Sequence, residues 1–307
     1  MIDRSVHADV KTDMHLSLPK FGCIDLSRRR LLQAALAGCM GTAVTRAGET
    51  LTFGLTPVFL NNDIELLVKL KAYLSRQTGK GVQLVQRRTY EEITGLLLSG
   101  QLTAAWICGY PLVQYQDQLS LVAVPLWNGH PLYSSYLIVP AGRAVKDIDD
   151  LKGDLHAFSD PNSNSGYLVT ASLLAERGLR PEGFFRQTIF TYGHRNVVRA
   201  VASGLAQSGS VDGYVWEVMA SLEPALTSQT RVTRKSELLG FPPVACLKRQ
   251  SNSTDVELIR HALLAMGDDP AGRDVLDLLR LDGFAEEPAS LFDPIAVKMR
   301  LVRSLQQ

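Results

Sequence analysis

Leu155-His156-Ala157-Phe158-Ser159-Asp160-Pro161-Asn162-Ser163-Asn164-Ser165-Gly166 is a short apolar run that opens into a polar loop. The first four residues suit a buried strand, and Ser159 to Gly166 carry the Pro, Asn, Ser and Gly that end strands. The apolar stretch that follows, through Ala175, suits a helix. Strand, loop and helix in this order make half of a crossover unit, and such units build sheets with parallel strands.

The same alternation extends outward on both sides. Toward the N-terminus, Glu49 to Pro57 reads as a strand ending in a loop. Asn61 to Thr78 has helical spacing, with Asn62 or Asp63 as cap and Gly79 as stop. Val82 to Gln86 is a strand, Thr89 caps a helix through Leu98, and Ala104 to Cys108 is a buried strand running into Gly109-Tyr110-Pro111. Leu119 to Leu126 and Tyr133 to Val139 are two more strands, the second broken by Pro140-Ala141-Gly142. Toward the C-terminus, Ile189 to Tyr192 is a strand, and Gly193-His194-Arg195-Asn196 leads into a helix. Val211 to Tyr214 is a strand, as are Arg231 to Arg234 and Phe241 to Leu247, and the tail is helical. The expected fold is α/β in two lobes, each a mainly parallel sheet flanked by helices, with a hinge cleft between them. Lobe one covers 48–140 plus 241–307 and lobe two 141–240, with crossings near Pro140 and Leu239. In such sheets ligands bind beyond the carboxyl ends of the strands. Thr56, at the end of one strand, and Cys108, Gly109 and Tyr110, at the end of another, should line the same crevice.

The 307 residues carry a net charge of +1, and no basic block follows the N-terminal region, which argues against nucleic acid as a partner. No apolar run is long enough to span a bilayer. Residues 1–47 read as an export signal: Arg28-Arg29 precede Leu31-Leu32 and a short apolar stretch, which resembles the twin-arginine type. Leu36-Ala37-Gly38-Cys39 reads either as a lipobox, with Cys39 acylated, or as part of a discarded signal. Export places the body in the periplasm. Cys23 is lost on export and Cys39 is lost or lipidated, so Cys108 and Cys246 remain there, either as one disulfide or as free thiols.

The Ser163-Asn164-Ser165-Gly166 loop can be a plain helix cap or a cradle for a polar solute, since backbone N–H groups at a helix start face outward there. Ser165, His194 and Asp212 can be drawn as a catalytic triad, but no G-x-S-x-G elbow is present. Cys108 and His194 can be drawn as a dyad, but they lie on different lobes. The scattered histidines give no zinc spacing. The chain reads as a receptor that needs no cofactor, rather than an enzyme.

Asp160-Pro161-Asn162-Ser163-Asn164-Ser165-Gly166-Tyr167-Leu168-Val169 resembles the serine-rich loop of phosphonate- and phosphite-type periplasmic binding proteins. The segments Gly193 to Gly204 and Val211-Asp212-Gly213 are similar to their counterparts in that family, as are Pro242-Pro243 and the helical tail. The resemblance implies the type II binding-protein fold, with the serine loop, His194 and Asp212 facing the cleft. Two departures matter. Asn164 stands where the family usually offers a hydroxyl, and Cys108 stands in Ala104-Ala105-Trp106-Ile107-Cys108-Gly109-Tyr110. A thiol is a poor phosphate ligand and a good one for a thiophilic centre. In this the chain resembles the periplasmic arsenite-binding proteins that report to a sensor histidine kinase controlling arsenite oxidase. That resemblance implies arsenite as ligand, Cys108 as the arsenic-binding residue and the membrane kinase as partner. The alternative is an ABC permease partner and a phosphonate, phosphite or related oxyanion.

Overall fold

β1 (Leu51–Leu55) leads through α1 (Ile64–Thr78) to β2 (Val82–Gln86), and α2 (Tyr90–Leu98) leads on to β3 (Ala104–Trp106). The three strands run parallel with β1 in the middle. The computed structural model describes residues 50–57 and 64–305; the segment 1–47 expected to be an export signal, with Arg28, Arg29 and Cys39, and the cap expected at Asn62 or Asp63, lie outside the described residues. Thr89 caps α2 as its sequence suggests. Its Oγ1 accepts the Glu92 N–H at 3.2 Å, and the Glu92 carboxylate accepts the Thr89 N–H at 3.0 Å.

α3 (Gly109–Gln114) follows β3 directly, then come β4 (Leu119–Leu126), β5 (Leu132–Tyr133) and β6 (Ser135–Pro140). β6 does not stay with the first sheet. It pairs with β9 and β10 of a second sheet, so the crossing expected near Pro140 falls instead at Ser134. The stretch Tyr133 to Val139 is therefore two strands, split where the Ser134 carbonyl leaves the ladder to accept the Gly213 N–H at 2.9 Å. The second sheet is built from β7 (Leu155–Phe158), α4 (Val169–Ala175), α5 (Pro181–Phe184), β8 (Gln187–Phe190), α6 (His194–Ala202), β9 (Ser208–Asp212), α7 (Gly213–Leu222), α8 (Pro224–Thr227) and β10 (Thr230–Lys235). Its strand order is β10-β6-β9-β7-β8. Gly213 and Tyr214 open α7 rather than extending β9, because Asp212 caps the helix.

The chain returns through β11 (Leu239–Gly240), which pairs antiparallel with β5, so both crossings run side by side as a two-stranded ribbon. β12 (Val244–Leu247) then enters the first sheet between β3 and β4, followed by α9 (Thr254–Leu264), α10 (Pro270–Leu279), β13 (Gly283–Ala285) and α11 (Asp293–Ser304). That sheet has the order β13-β4-β12-β3-β1-β2. Both sheets are mixed rather than mainly parallel: β1–β3 and β7–β9 form parallel triplets, while the strands beside the crossings run back against them.

Packing explains the return. Trp106 is buried, and its indole N–H donates to the Pro242 carbonyl at 2.8 Å, anchoring the incoming strand beside β3. No helix among the described residues is long and apolar enough to cross a membrane.

Candidate functional site

Cys108 lies two residues past the end of β3, which stops at Trp106 rather than running on to Cys108, and stands at the cap position of α3, so its side chain sits where helix amide groups point outward. From the opposite sheet, the loop after β7 approaches it. Ser163 starts a π-helical turn, Asn164–Leu168, a rare form often found at functional sites. The turn is wound by Gly166, whose N–H donates to Ser163 Oγ at 3.0 Å. A Cβ at Gly166 would stand 1.8 Å from Ser159 Oγ and 3.0 Å from His194 Cε1, so only glycine fits.

This turn joins the two lobes. The Asn164 N–H donates to Cys108 Sγ at 3.2 Å, and Asn164 Nδ2 donates to Tyr133 Oη at 2.9 Å. The Ser165 carbonyl accepts the Ser135 hydroxyl at 2.6 Å, while its own hydroxyl serves the Asp212 carboxylate and the Tyr133 phenol. His194 opens α6 and is fixed at both nitrogens. Nδ1 accepts the Asp212 backbone N–H at 3.0 Å, so in the neutral ring the proton is on Nε2, which faces Tyr90 Oη at 3.2 Å. Tyr90 Oη then accepts from His194 and keeps its own proton for another partner. With both nitrogens so engaged, His194, Ser165 and Asp212 are not wired as a catalytic triad.

Burial sets the charges. It pushes the Cys108 thiol up to about 12, against the amides of Asn164 and Tyr110 that pull it down. It lowers His194 to about 3, leaving the ring neutral, and raises Asp212 to about 7, against the Val215 and Tyr214 amides and the Ser165 hydroxyl. The Tyr90 and Tyr133 phenols are also raised by burial, and the charges acting most strongly on them are carboxylates, the Cys108 thiol and, on Tyr90, the Tyr133 phenol. No lysine or arginine is among the groups that act most strongly on Cys108, Tyr90, Tyr133 or Asp212. Cys108 and Cys246 are both free thiols, so the disulfide alternative is not realised.

The structure brings together Cys108, Asn164, Ser165, His194 and Asp212, each at most 2% exposed. Three other expected residues have supporting places. Thr56 spends its hydroxyl on the Trp106 carbonyl at 3.2 Å, tying β1 to β3. Gly109 packs on the C-terminal helix, where a Cβ would meet Ile295 Cδ1 at 2.6 Å. Tyr110 supplies a backbone amide to Cys108, while its phenol lies near Arg303 and Tyr115. Tyr90 and Tyr133 were not expected. Tyr90 follows the recognisable cap Thr89, which was the one available signal; Tyr133 read only as a strand residue. A more open groove of about 500 Å³, lined by Trp127, Tyr136, Glu217, Lys235 and Arg280 among others, lies elsewhere. There Tyr136 already donates to Glu217 at 2.9 Å and Lys235 lies 4.5 Å from the Tyr136 ring, so the buried Cys108 cluster is the better candidate.

Residues 53–290 match the family described as "ABC transporter, phosphonate, periplasmic substrate-binding protein". Among solved structures, the chain is similar to a binding-protein component of an ABC phosphonate transporter from Pseudomonas aeruginosa, with 20% identity over 84% of this chain and 87% of that one, at a TM-score of 0.76. A protein from Prochlorococcus marinus in complex with methylphosphonate is 18% identical over 83% of this chain and 98% of its own, at a TM-score of 0.73. A histidine kinase sensor domain with similarity to periplasmic binding proteins shares the fold more distantly, at 14% identity over 76% of this chain and 98% of that one, with a TM-score of 0.54. The sheets, the buried cleft and the family match lead to one conclusion: the chain belongs to the phosphonate-type periplasmic substrate-binding proteins of ABC transporters.

Proposed function

We propose that the chain is a periplasmic receptor that closes over one small oxyacid, and that this acid is arsenous acid, bonded through arsenic to Cys108. The observation that carries the reading is the Cys108 sulfur facing the Asn164 N–H at 3.2 Å, at the start of the turn that a ligand oxygen would otherwise occupy. A thiol held protonated by burial suits this chemistry. The S–H and one As–OH bond break, an S–As bond forms, and the thiol proton leaves with the hydroxide as water. No thiolate or external base is required. The absence of cations among the strongest influences also favours a neutral acid, because an unpaired anion would be costly to bury. In this reading the closed form signals to a membrane histidine kinase, and delivery uses Arg28 and Arg29, with Cys39 as a lipid attachment point if it is retained.

A second reading is favoured by the family match: an uptake receptor that hands a phosphonate, phosphite or related oxyanion to an ABC permease. The two readings differ in one titration. Arsenite, phosphite and methylphosphonate are added separately to the exported protein and to Cys108→Ser. The arsenic reading expects arsenite binding in the wild type and a loss of at least a hundredfold in Cys108→Ser. Wild-type protein that ignores arsenite but binds methylphosphonate, with Cys108→Ser unaffected, would establish the uptake reading instead.

A further inference from the structure

The groove of about 500 Å³ lies on the face of β6 that turns away from the cleft. Successive strand residues point to opposite faces. Ser135 reaches the serine turn, donating to the Ser165 carbonyl, while its neighbour Tyr136 lines the groove. The walls come from both lobes. Trp127, Asn128 and Arg280 stand on the first, and Tyr136, Glu217 and Lys235 on the second. The volume falls within the ~300–1,000 Å³ of pockets that hold small molecules. Two cations, Lys235 and Arg280, line it with one carboxylate, and that carboxylate is already engaged. Glu217 accepts the Tyr136 hydroxyl at 2.9 Å and pairs with Lys235 at 3.5 Å.

What remains unspent in the groove is a set of donors. Among the described residues, no hydrogen bond or ion pair uses the Arg280 guanidinium, the Trp127 indole N–H or the Asn128 side-chain amide. Arg280 ends α10, and a helix end ordinarily repels an anion through its free carbonyls. Here the Leu279 carbonyl accepts the Tyr214 hydroxyl, and the carbonyls of Leu276 and Asp277 accept the Arg280 N–H. The Trp127 ring packs edge-on against Tyr214, with 5.8 Å between centroids, and buried Val218 adds an apolar wall. We infer that the groove is a second binding site, for a small carboxylic acid with a flat apolar body. The carboxylate goes to Arg280, whose planar fork suits it, and the body packs on Trp127 and Val218. Such an occupant touches both lobes and favours the arrangement in which the two walls stand together. The inference is independent of which solute fills the cleft.

The test is a calorimetric titration at neutral pH with three probes: benzoate, which has charge and ring; benzamide, the ring without the charge; and acetate, the charge without the ring. Benzoate should bind one to one with a Kd of about a millimolar or tighter. Benzamide and acetate should bind more weakly by about tenfold or more. Arg280→Asn removes the cation and keeps the backbone, since Asn tolerates the left-handed φ of 56° found there. It should weaken benzoate by about tenfold or more. Glu217→Gln removes the negative charge but leaves an acceptor for Tyr136, and should tighten benzoate severalfold. Both variants should unfold within a few degrees of the wild type. Saturating arsenite or methylphosphonate should leave benzoate bound. No saturable benzoate binding, benzamide bound as tightly as benzoate, or unchanged affinity in either folded variant would overturn the inference. Benzoate displaced by arsenite or by methylphosphonate would place it in the cleft and overturn it too.

Discussion

The Asp160 carboxylate of the second lobe accepts the Tyr90 backbone N–H of the first at 3.1 Å. Tyr90 is the first residue of α2, so one lobe caps a helix that belongs to the other. The same tyrosine meets His194 through its hydroxyl. A carboxylate at a helix start gains from both the free amide and the helix dipole. The bond runs from one lobe to the other and would break if they parted, so Asp160 is placed to act as a latch. Its carboxyl is nonetheless raised by burial, against the Asn162 and Tyr90 amides that lower it, so the buried position carries a desolvation cost that the bonds offset only in part.

Asp160→Ala should shift the protein toward the open form. Losing a charge-assisted bond and stranding the Tyr90 amide costs about 1.5–3 kcal/mol. Ligand affinity should fall by about tenfold or more, and small-angle scattering at saturating ligand should show a larger radius of gyration than wild type until more ligand is added. An unchanged affinity would mean the cap does not contribute to closure.

Gly166→Ala tests the turn itself. The added methyl would collide with Ser159, a fully buried residue on the end of β7, and crowd the His194 ring. Overpacking of this kind costs about 1–3 kcal/mol. Urea unfolding should show that loss together with weakened ligand binding, whereas Gly142→Ala, with open space around its position, should show neither.

Much of the architecture was legible in the sequence, because strand and helix periods and the Thr89 cap are local signals. The lobe boundary was less so. Ser135 to Pro140 carries the same apolar pattern whichever sheet receives it, and only its pairing with β9 and β10 decides. The serine loop, Cys108, His194 and Asp212 could be found from their strand-end positions. Tyr90 and Tyr133 could not, because an aromatic residue on a helix start or a short strand looks like core. Gly109 and Thr56 looked like cleft residues for the opposite reason: strand ends attract packing and ligand contact alike, and only the position of Ile295 and Trp106 separates the two.

Stability should depend on pH through three buried groups. His156 is lowered to about 3 by burial between the Ser208 and Ser210 hydroxyls, each 2.8 Å from a ring nitrogen, and His194 is lowered to a similar value. Each contributes stability that is present above 6.5 and lost as pH falls toward 3. Asp212 works in the opposite sense: raised from 3.8 to about 7, it contributes stability that is present below 3.8 and lost as pH rises through 7. Between these limits two histidines oppose one carboxyl, so acidification from pH 6.5 to 4 should destabilise the protein. His156→Gln removes one of the two histidines. Its urea-unfolding free energy should change less steeply over that range, by up to about 1.4 kcal/mol per pH unit. An identical slope in wild type and variant would show that His156 is not held neutral.

The proposed arsenic–sulfur bond at Cys108 is tested directly by arsenic-edge X-ray absorption on the protein with one equivalent of arsenite, after the free thiols have been counted. The account predicts one sulfur and two oxygens around arsenic in the wild type, and no sulfur from the protein in Cys108→Ser. An all-oxygen arsenic shell in the wild type, with both Cys108 and Cys246 still titrating as free thiols, would contradict it.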